Sequence, residues 1–324
     1  MFTLGKQLPT AYGGQAVIEG VMFGGKQYAV TAIRRKDNTI EYYEEVKKES
    51  PWVKSLKKIP FIRGIVALIV SSANGAKHLN FSSEKYADDN TDEDEPEVAE
   101  PEKKDKWSLT MILGIAVIGV ISFLFGKLIF TVVPAILADV LFKKWVTHNI
   151  AQNFIEGGIK ILLLLAYLYI ISRTPMIKRL FQYHGAEHKV INAYESGVEL
   201  TVKNVQKFST LHYRCGSSFM VFTVLVGIVI YSFFHYDTLW ERVYQRILLL
   251  PVVIGFSYET LQLTNKLRGI PILCTLGYPG LWLQKLTTIE PDDHQVEVAI
   301  ASFQRMRALD EGTAMNCSTP MQQS

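Results

Sequence analysis

A short stretch of the chain has the residue types and the spacing of a metal-dependent hydrolytic site. Residues 183–188 read YHGAEH and contain the pattern HxxEH. On a helix, positions four apart share a face, so His184 and His188 can offer two imidazoles to one metal ion. Glu187 lies beside them as a candidate general base. The pattern therefore predicts a metal centre, and the competing structural interpretation is two interfacial histidines at the end of a membrane helix.

The two histidines need further ligands, because a pair of imidazoles alone holds a metal ion poorly. His212 and Glu259 are the candidates, and zinc is the expected ion. An acidic residue inside an apolar segment is costly to insert into a membrane, so Glu259 is expected to have a partner or a task. It is predicted to be a third ligand or to orient the other ligands, and the alternative is an ion pair with Arg214 or Arg268.

Three more residues are predicted to surround the ligands. Cys215 is either a soft ligand beside His212 or a small packing residue. Arg214 is either an anchor at the membrane boundary or the group that holds a substrate carboxylate or phosphate. Tyr258 directly precedes Glu259 near the expected end of the same apolar segment.

The composition indicates a protein that lies in a lipid bilayer. Only 20% of the 324 residues are charged, and the mean hydropathy is +0.14, which is too apolar for an ordinary soluble protein. Charge is concentrated before Trp107 and after Glu290. The N-terminal residues lack the apolar region of a signal peptide, so internal segments are expected to direct insertion.

Several classes of function do not fit the sequence. A net charge of +3 on this length, without interleaved basic and aromatic residues, argues against nucleic acid as a partner. The glycines near the N-terminus lack the spacing of a dinucleotide site, and there is no Walker sequence. Three widely spaced cysteines make a disulfide framework improbable and favour a reducing compartment.

Four segments are predicted to cross the bilayer, where roughly 20 apolar residues are needed for about 30 Å of hydrocarbon. Residues 269–284 are also uncharged, but Pro271 and Pro279 interrupt them, so a broken or re-entrant segment is expected there. The four predicted spans are residues 108–126, 154–172, 215–234 and 247–265.

Loop charges predict the orientation of the spans. The connection over residues 173–214 carries seven basic residues, whereas the neighbouring connections hold Lys143 with Lys144 and Arg242 with Arg246. The positive-inside rule therefore places the basic connection in the cytosol. With four spans, both termini are expected on that side of the plasma membrane.

The predicted fold class is a mainly α-helical membrane protein with about four transmembrane helices, further interfacial or re-entrant helices and a small N-terminal cytosolic β unit. The bundle contains a cytosolic HxxEH loop, and an amphipathic cytosolic helix follows it. The predicted boundaries are 1–58 for the β unit, 59–83 for an interfacial or re-entrant helix, 84–106 for an acidic disordered linker, 107–289 for the bundle, 290–310 for the amphipathic helix and 311–324 for a disordered tail.

Four motifs together resemble the YqhQ family, a group of bacterial multi-pass membrane proteins described as predicted metal-dependent enzymes. The motifs are HGAEH, HYRCG, SYE and the leading GGQAVIEGVM, and the likeness runs over residues 13–300. HxxEH is also the motif of the inverted zinc peptidases, in which a downstream glutamate completes the site. The resemblance implies a site of His184, Glu187, His188, His212 and Glu259.

The leading functional hypothesis is a membrane-embedded metal-dependent hydrolase with its site at the cytosolic membrane face. Its position suggests a lipid-linked, amphiphilic or membrane-protein substrate, with membrane lipid as a partner. One alternative is a non-enzymatic interaction or scaffold protein in which the histidines are structural. Another is a small transporter in which Glu259 and the histidines form a proton or ion path. Bound metal separates the first hypothesis from the second, and flux in proteoliposomes separates the third.

Overall fold

The computed structural model describes residues 12–47, 50–90, 126, 129–130, 132–267 and 269–312. Over these residues the chain is mainly helical, and it begins with a four-stranded antiparallel sheet. The predicted N-terminal β unit is therefore confirmed. The first predicted span, residues 108–126, lies outside the described residues except for Gly126, as do most of the predicted acidic linker and nearly all of the predicted tail.

The sheet is a simple meander with strand order β1-β2-β3-β4. Ile18 and Glu19 form the tight connection between β1 and β2, with Glu19 at a φ of 55°. Asn38 takes a φ of 67° in the turn before β4. Asparagine tolerates this left-handed conformation better than most residues, which suits a turn. The strands are β1 (Gly13–Val17), β2 (Gly20–Gly24), β3 (Tyr28–Arg34) and β4 (Ile40–Val46).

The helices follow the sheet in the chain and include one 3₁₀ turn, Leu273–Gly277. They are α1 (Pro51–Leu56), α2 (Ile62–Asn90), α3 (Val132–Phe142), α4 (Asn149–Ile171), α5 (Pro175–Glu195), α6 (Val202–Val205), α7 (Ser218–Tyr231), α8 (Leu239–Leu248), α9 (Leu250–Leu267), α10 (Tyr278–Thr287) and α11 (Asp293–Asp310).

The chain divides into two compact units. The first comprises Met1–Asp89, Leu168–Phe222 and Gly255–Ser324, and the second comprises Asn90–Tyr167 and Thr223–Ile254. The first unit contains the sheet and the whole of α5, α10 and α11, whereas the second contains most of α4 and all of α8.

An aromatic core joins the sheet to α5 and α11 in the first unit. Phe303 of α11 is fully buried at its centre. Its ring packs edge-on against Tyr12 at 5.3 Å and against Phe23 of β2 at 5.1 Å, and lies 5.0 Å from Tyr194 of α5, measured between ring centroids. Aromatic pairs at such distances add to the free energy gained by burying their apolar surface. This core fixes α5 against the sheet.

The C-terminal helix is fastened at both ends. Asp292 caps its N-terminus, because its carboxylate accepts a hydrogen bond from the Gln295 N–H. The Gln295 side-chain oxygen accepts one from the Asp292 N–H, which completes a capping box. At the other end, the Asp310 carboxylate accepts hydrogen bonds from backbone N–H groups of the β2–β3 turn, including Gln27 at 2.9 Å and Tyr28 at 3.0 Å. The amphipathic helix predicted over residues 290–310 is thus α11, and it packs on the sheet.

By length and composition, α4 is the described helix that could cross a membrane alone, and α8 with α9 could form a second span bent by 53°. Leu162 of α4 is 68% exposed and Ile170 is 66% exposed, which suits contact with lipid more than a place in a soluble core. The predicted span over residues 215–234 contains only the 14-residue helix α7, about 21 Å long. The described residues therefore offer one or two candidate spans.

Two other segments differ from their predicted form. Helix α2 continues to Asn90, so the first seven residues of the predicted linker, 84–90, are helical. The connection over residues 173–214, expected as a loop, contains the 21-residue helix α5 and the short helix α6. The apolar pattern did not show how far either helix extends, because polar helices do not give an apolar stripe strong enough to mark their ends.

A buried ionic cluster lies in the second unit. Arg242 and Arg246, which were counted above as loop charges, lie on α8 and are almost fully buried. Both guanidinium groups pair with Glu156 of α4, at 2.5 Å and 3.1 Å. Asn153 accepts a further bond from Arg246 at 2.6 Å. These arginines therefore cannot serve as solvent-facing charges in an argument about orientation.

Replacing Glu156 by glutamine is expected to destabilise the protein by about 3 kcal/mol or more, because two buried guanidinium groups lose their counter-charge. The free energy of unfolding in detergent, measured by denaturant titration, would test this. Asp139→Asn is the matched control, since Asp139 forms a more exposed ion pair with Lys143 in the same unit and should change stability by less than about 1 kcal/mol. Equal effects of the two substitutions would contradict the prediction.

A buried histidine joins α2 to the sheet. His78 is fully buried, and its Nδ1 lies 2.7 Å from the Thr31 hydroxyl of β3. Burial lowers the pKa of His78, the carboxylate of Glu45 opposes this, and the charges of Lys77 and Lys47 reinforce it. The neutral imidazole is therefore the form that the fold accepts.

Acid is expected to weaken this contact. Because the folded-state pKa of His78 lies below the value of about 6.5 for an unfolded chain, the contribution to stability is present above about pH 6.5 and is lost as the pH falls through the folded pKa. Unfolding measured at about pH 7 and about pH 5 should show a loss for the wild type that is smaller in His78→Gln, which does not titrate. A pH dependence identical in both proteins would refute the assignment.

Candidate metal centre

The HxxEH pattern lies on α5, as its spacing predicts. Thr174 is extended before the helix and Pro175 takes its first position, where the missing N–H costs no helical hydrogen bond. The second half of the helix is buried between the sheet and α11. His184 and His188 face the same side, with ring centroids 4.5 Å apart.

Backbone carbonyls hold both imidazole rings. His184 Nδ1 lies 2.8 Å from the carbonyl oxygen of Thr287, and His188 Nδ1 lies 2.5 Å from that of Thr210. A carbonyl can only accept, so each Nδ1 must carry the proton and donate it. Each Nε2 is then a lone-pair donor, which is the arrangement found in metal-binding histidines.

Cys215 completes a group of three donor atoms. Its Sγ lies 3.3 Å from His184 Nε2, and it accepts a hydrogen bond from the Ser217 N–H at 3.4 Å. One ligand atom from each of His184, His188 and Cys215 lies within 4.8 Å of the others. Metal–ligand lengths of about 2.0–2.3 Å put tetrahedral ligand atoms roughly 3.4–3.8 Å apart, so a small contraction would suit an ion.

His212 lies beside this group and not within it. Its ring centroid is 5.7 Å from that of His188, and its Nε2 is 3.7 Å from a carboxylate oxygen of Glu195. The Gln284 side chain fixes its backbone, accepting from the N–H and donating to the carbonyl, each at 2.8 Å. The structure thus places His212 where it can orient neighbours or touch a substrate.

Glu187 is buried directly beside the histidines. Its carboxylate accepts a hydrogen bond from the Gly14 N–H of β1. Burial raises the pKa of Glu187, and the charges of His184 and His212 and the bond from Gly14 partly oppose the rise. A buried carboxyl group that lines a cavity is suited to take up and release a proton.

Two glycines let backbone segments approach the helix closely. A methyl group at Gly14 would lie 2.5 Å from the Met22 carbonyl and 3.0 Å from the Glu187 carboxyl carbon. A methyl group at Gly185 would overlap the carbonyl oxygen of Ile289, whose N–H donates to the Phe181 carbonyl at 3.0 Å. Gly185 of HGAEH and Gly14 of the leading GGQ segment are therefore needed for packing.

A cavity of about 320 Å³ lies over these groups. Arg214 lines it and pairs with the carboxylate of Glu195. The other polar residues of the wall are Gln15, His184, Glu187, His188, His212, Cys215 and Ser217. Such a cavity could admit a small group or a short segment of a larger substrate.

The structure does not bring Glu259 or Tyr258 into this site. Both carboxylate oxygens of Glu259 bind the Arg63 guanidinium, and one accepts the Phe61 N–H at 3.1 Å. Tyr258 packs against Gly64 of α2. The partner of Glu259 is thus Arg63, neither of the two arginines considered from the sequence, and the ion pair explains how its charge is accommodated.

Several residues of the site carry no local signal in the sequence. Ser217 supports the thiol, Gln284 fixes His212, and Thr287 and Thr210 contribute only their carbonyls. Gln284 is 72 residues from its partner, and any residue type can supply a carbonyl. The leading glycine pair was visible in the sequence, but its function required the contact with Glu187.

The fold and the site define a mainly helical bacterial protein with a small N-terminal sheet, one or two candidate spans and a His-His-Cys group. Residues 59–309 match the model of the family described as "Protein of unknown function (DUF1385)", and the chain belongs to this family. It is 57% identical over 308 residues to "Uncharacterized protein YqhQ" of Bacillus subtilis (strain 168), covering 94% of this chain and 96% of the relative. No solved structure matches the chain.

Replacing Gly185 by alanine is expected to lower the free energy of unfolding by about 1–3 kcal/mol, because the methyl group would overlap a backbone carbonyl that cannot move freely. Alanine is the better helix former by up to about 1 kcal/mol, so a loss would identify the contact. Gly269→Ala, with nothing within 4 Å of its methyl position, is the control. A variant Gly185→Ala as stable as Gly269→Ala would show that Ile289 does not lie there.

Proposed function

We propose that the protein is a metal-dependent hydrolase of the bacterial plasma membrane. His184, His188 and Cys215 would hold a divalent ion, with zinc as the expected ion, and Glu187 would act as the general base. The observation that supports this most directly is the convergence of three donor atoms within 4.8 Å beside a buried carboxylate.

The chemistry of the donors favours zinc over a hard ion. One thiolate and two imidazoles suit zinc or a similar transition metal, whereas magnesium and calcium prefer oxygen ligands. Bound zinc lowers the pKa of a coordinated water towards about 7 and polarises a carbonyl or phosphoryl group. The Ser217 N–H lies 3.4 Å from the sulfur and donates to it, which fixes the position of the sulfur beside His184.

Glu187 suits the role of the base for reasons of its own. Its carboxylate lines the cavity, and the Gly14 N–H fixes its orientation. In the part of the chain that the structure describes, no lysine or arginine pairs with it, so a proton taken from water would not have to compete with a salt bridge. Arg214, held by Glu195 at the cavity wall, could position an anionic group of the substrate.

The membrane placement is part of the proposal. Helix α4 and the bent pair α8–α9 are long and apolar enough to span, and the composition of residues 108–126 favours another crossing. The proposed topology is multi-pass, with both termini and the site on the cytosolic side and membrane lipid around the spans. The basic residues of the 173–214 segment support this orientation, since its neighbours expose fewer.

The proposal predicts bound metal. Protein purified in mild detergent without a His tag should carry about one divalent ion per chain, and the double variant His184→Ala, His188→Ala should lose it. Glu187→Gln should keep the ion, because a general base is not a ligand. Elemental analysis of the three proteins, each checked for folding by thermal unfolding, would measure this.

Two further variants distinguish the His-His-Cys group from the metal site with Glu259 that the sequence suggested. Cys215→Ser should weaken metal binding at least about tenfold, whereas Glu259→Gln should leave the metal content unchanged because that carboxylate binds Arg63. Wild-type protein that stays free of metal after reconstitution with zinc, manganese, iron and nickel would refute the enzyme and favour an interaction protein with structural histidines.

A further inference from the structure

The edge of the sheet lies along the wall of the cavity. Strand β1 is the first strand in the order β1-β2-β3-β4, and β2 is its only partner strand among the described residues. Five consecutive residues, 12–16, line the same cavity as His184, His188 and Cys215. Gly13 and Gly14 have no side chains, so at these positions the backbone itself forms the wall.

The hydrogen-bond pattern shows which backbone groups of β1 face outward. In an antiparallel pair, successive residues turn their N–H and C=O groups alternately to one neighbour and to the other. The N–H of Gly25, just after β2, donates to the Tyr28 carbonyl of β3 at 2.8 Å. The odd-numbered residues of β2 therefore turn their backbone N–H and C=O groups to β3, and the even-numbered residues turn theirs to β1. The register pairs Gln15 with Met22; residues 13, 15 and 17 therefore bond to β2.

Gly14 and Ala16 consequently turn their backbone groups to the free edge. Gly14 lies against the Glu187 carboxyl group, whose carbon would be 3.0 Å from a methyl group placed at Gly14. The N–H and C=O of Ala16 have no strand partner among the described residues. Two residues along a strand cover about 7 Å, so these unpaired groups lie one repeat away from the candidate base.

We propose that the substrate is a polypeptide, bound in extended conformation along the free edge of β1. An incoming strand would exchange hydrogen bonds with the N–H and C=O of Ala16 and with the C=O of Gly14. An extended chain is the ligand that repeats donor and acceptor groups at the spacing of a strand, and exposed edges take up such chains by strand addition. A lipid has no comparable row of donors.

This substrate class rests on the proposed function and specifies its reaction. The strand would carry a peptide bond past Glu187 and the His-His-Cys group. Water would add to the carbonyl carbon, forming a C–O bond while the C–N bond breaks. Glu187 would take one proton from the water and pass it to the leaving nitrogen, so that a carboxylic acid and an amine form. The remaining acid proton then passes to the amine, so the products are a carboxylate and an ammonium group and no other reactant is consumed.

The test uses full-length protein in mild detergent, with Glu187→Gln in every sample so that a bound polypeptide is not cleaved. Fluorescein-labelled casein, an unfolded polypeptide, is the probe, and fluorescence anisotropy measures its binding. Ala16→Pro replaces the outward N–H by the proline ring. It keeps the hydrogen bonds between β1 and β2, because Ala16 does not donate to β2, and edge strands tolerate such a proline. We expect casein binding to weaken at least about tenfold.

Tyr42→Pro is the matched control. By the same alternation, Tyr42 of β4 turns its N–H to the opposite edge of the sheet, which does not line the cavity. It should bind casein as tightly as the parent protein. Both proline variants should unfold near the temperature of the parent and keep its metal content. Casein binding that is unchanged in Ala16→Pro would overturn the proposal.

Hydrogen exchange gives a readout that needs no substitution in β1. Saturating casein should slow exchange of the Ala16 amide, whereas the Gln15 and Val17 amides are already bonded to β2 and should change little. An unaffected Ala16 amide would overturn the polypeptide site, and so would protection by phosphatidylglycerol in place of casein, which would indicate a lipid substrate. If the wild-type protein contains no metal but casein binding still depends on Ala16, the hydrolase is refuted and the polypeptide site is retained.

Discussion

The site depends on the close approach of two backbone segments to one helix. Gly14 brings β1 onto Glu187, and Gly185 admits the carbonyl of Ile289 on another side of α5. At both positions a side chain would meet backbone atoms, which cannot rotate away as a flexible side chain can. The aromatic core around Phe303 supplies the apolar burial that holds these elements together, but the glycines determine how near they come. Without that approach, neither the carboxylate nor the His184 ring would keep its hydrogen-bond partner.

The same packing prepares the donor atoms for a ligand. The carbonyl of Thr287 belongs to the end of α10, and that of Thr210 belongs to the segment after α6. Each element must therefore dock on α5 before an imidazole is oriented. Because each ring uses Nδ1 to donate to a carbonyl, Nε2 is the nitrogen left to bind a ligand. Orientation by the protein reduces the entropy that a ligand would otherwise lose on binding.

The sequence allowed the helical part of the site to be predicted, because the spacing of His184, Glu187 and His188 is a local property of one helix. The antiparallel β unit was also predictable from its alternation and its turn residues. For Glu259 an ion pair was one of the two expectations, but its partner could not be predicted, since Arg63 is 196 residues away and no periodicity links them. Cys215 was left between two interpretations for the same reason. Its distance to His184 is set by the path of the chain from α5 to α7, which the pattern does not contain.

Three glutamates with low solvent exposure, Glu156, Glu187 and Glu259, differ in their surroundings. Glu156 pairs with two buried arginines and Glu259 with Arg63, so each has a counter-charge that offsets the cost of burying it. Glu187 is buried as deeply as Glu156, yet among the described residues the groups that favour its charged form are the Gly14 N–H and the nearby His184 and His212. A fold that needed only stability would be better served by an apolar residue there. The lack of a fixed counter-charge among the described residues is what the proposed proton transfer by Glu187 requires, and this observation is independent of the motif that first drew attention to the residue.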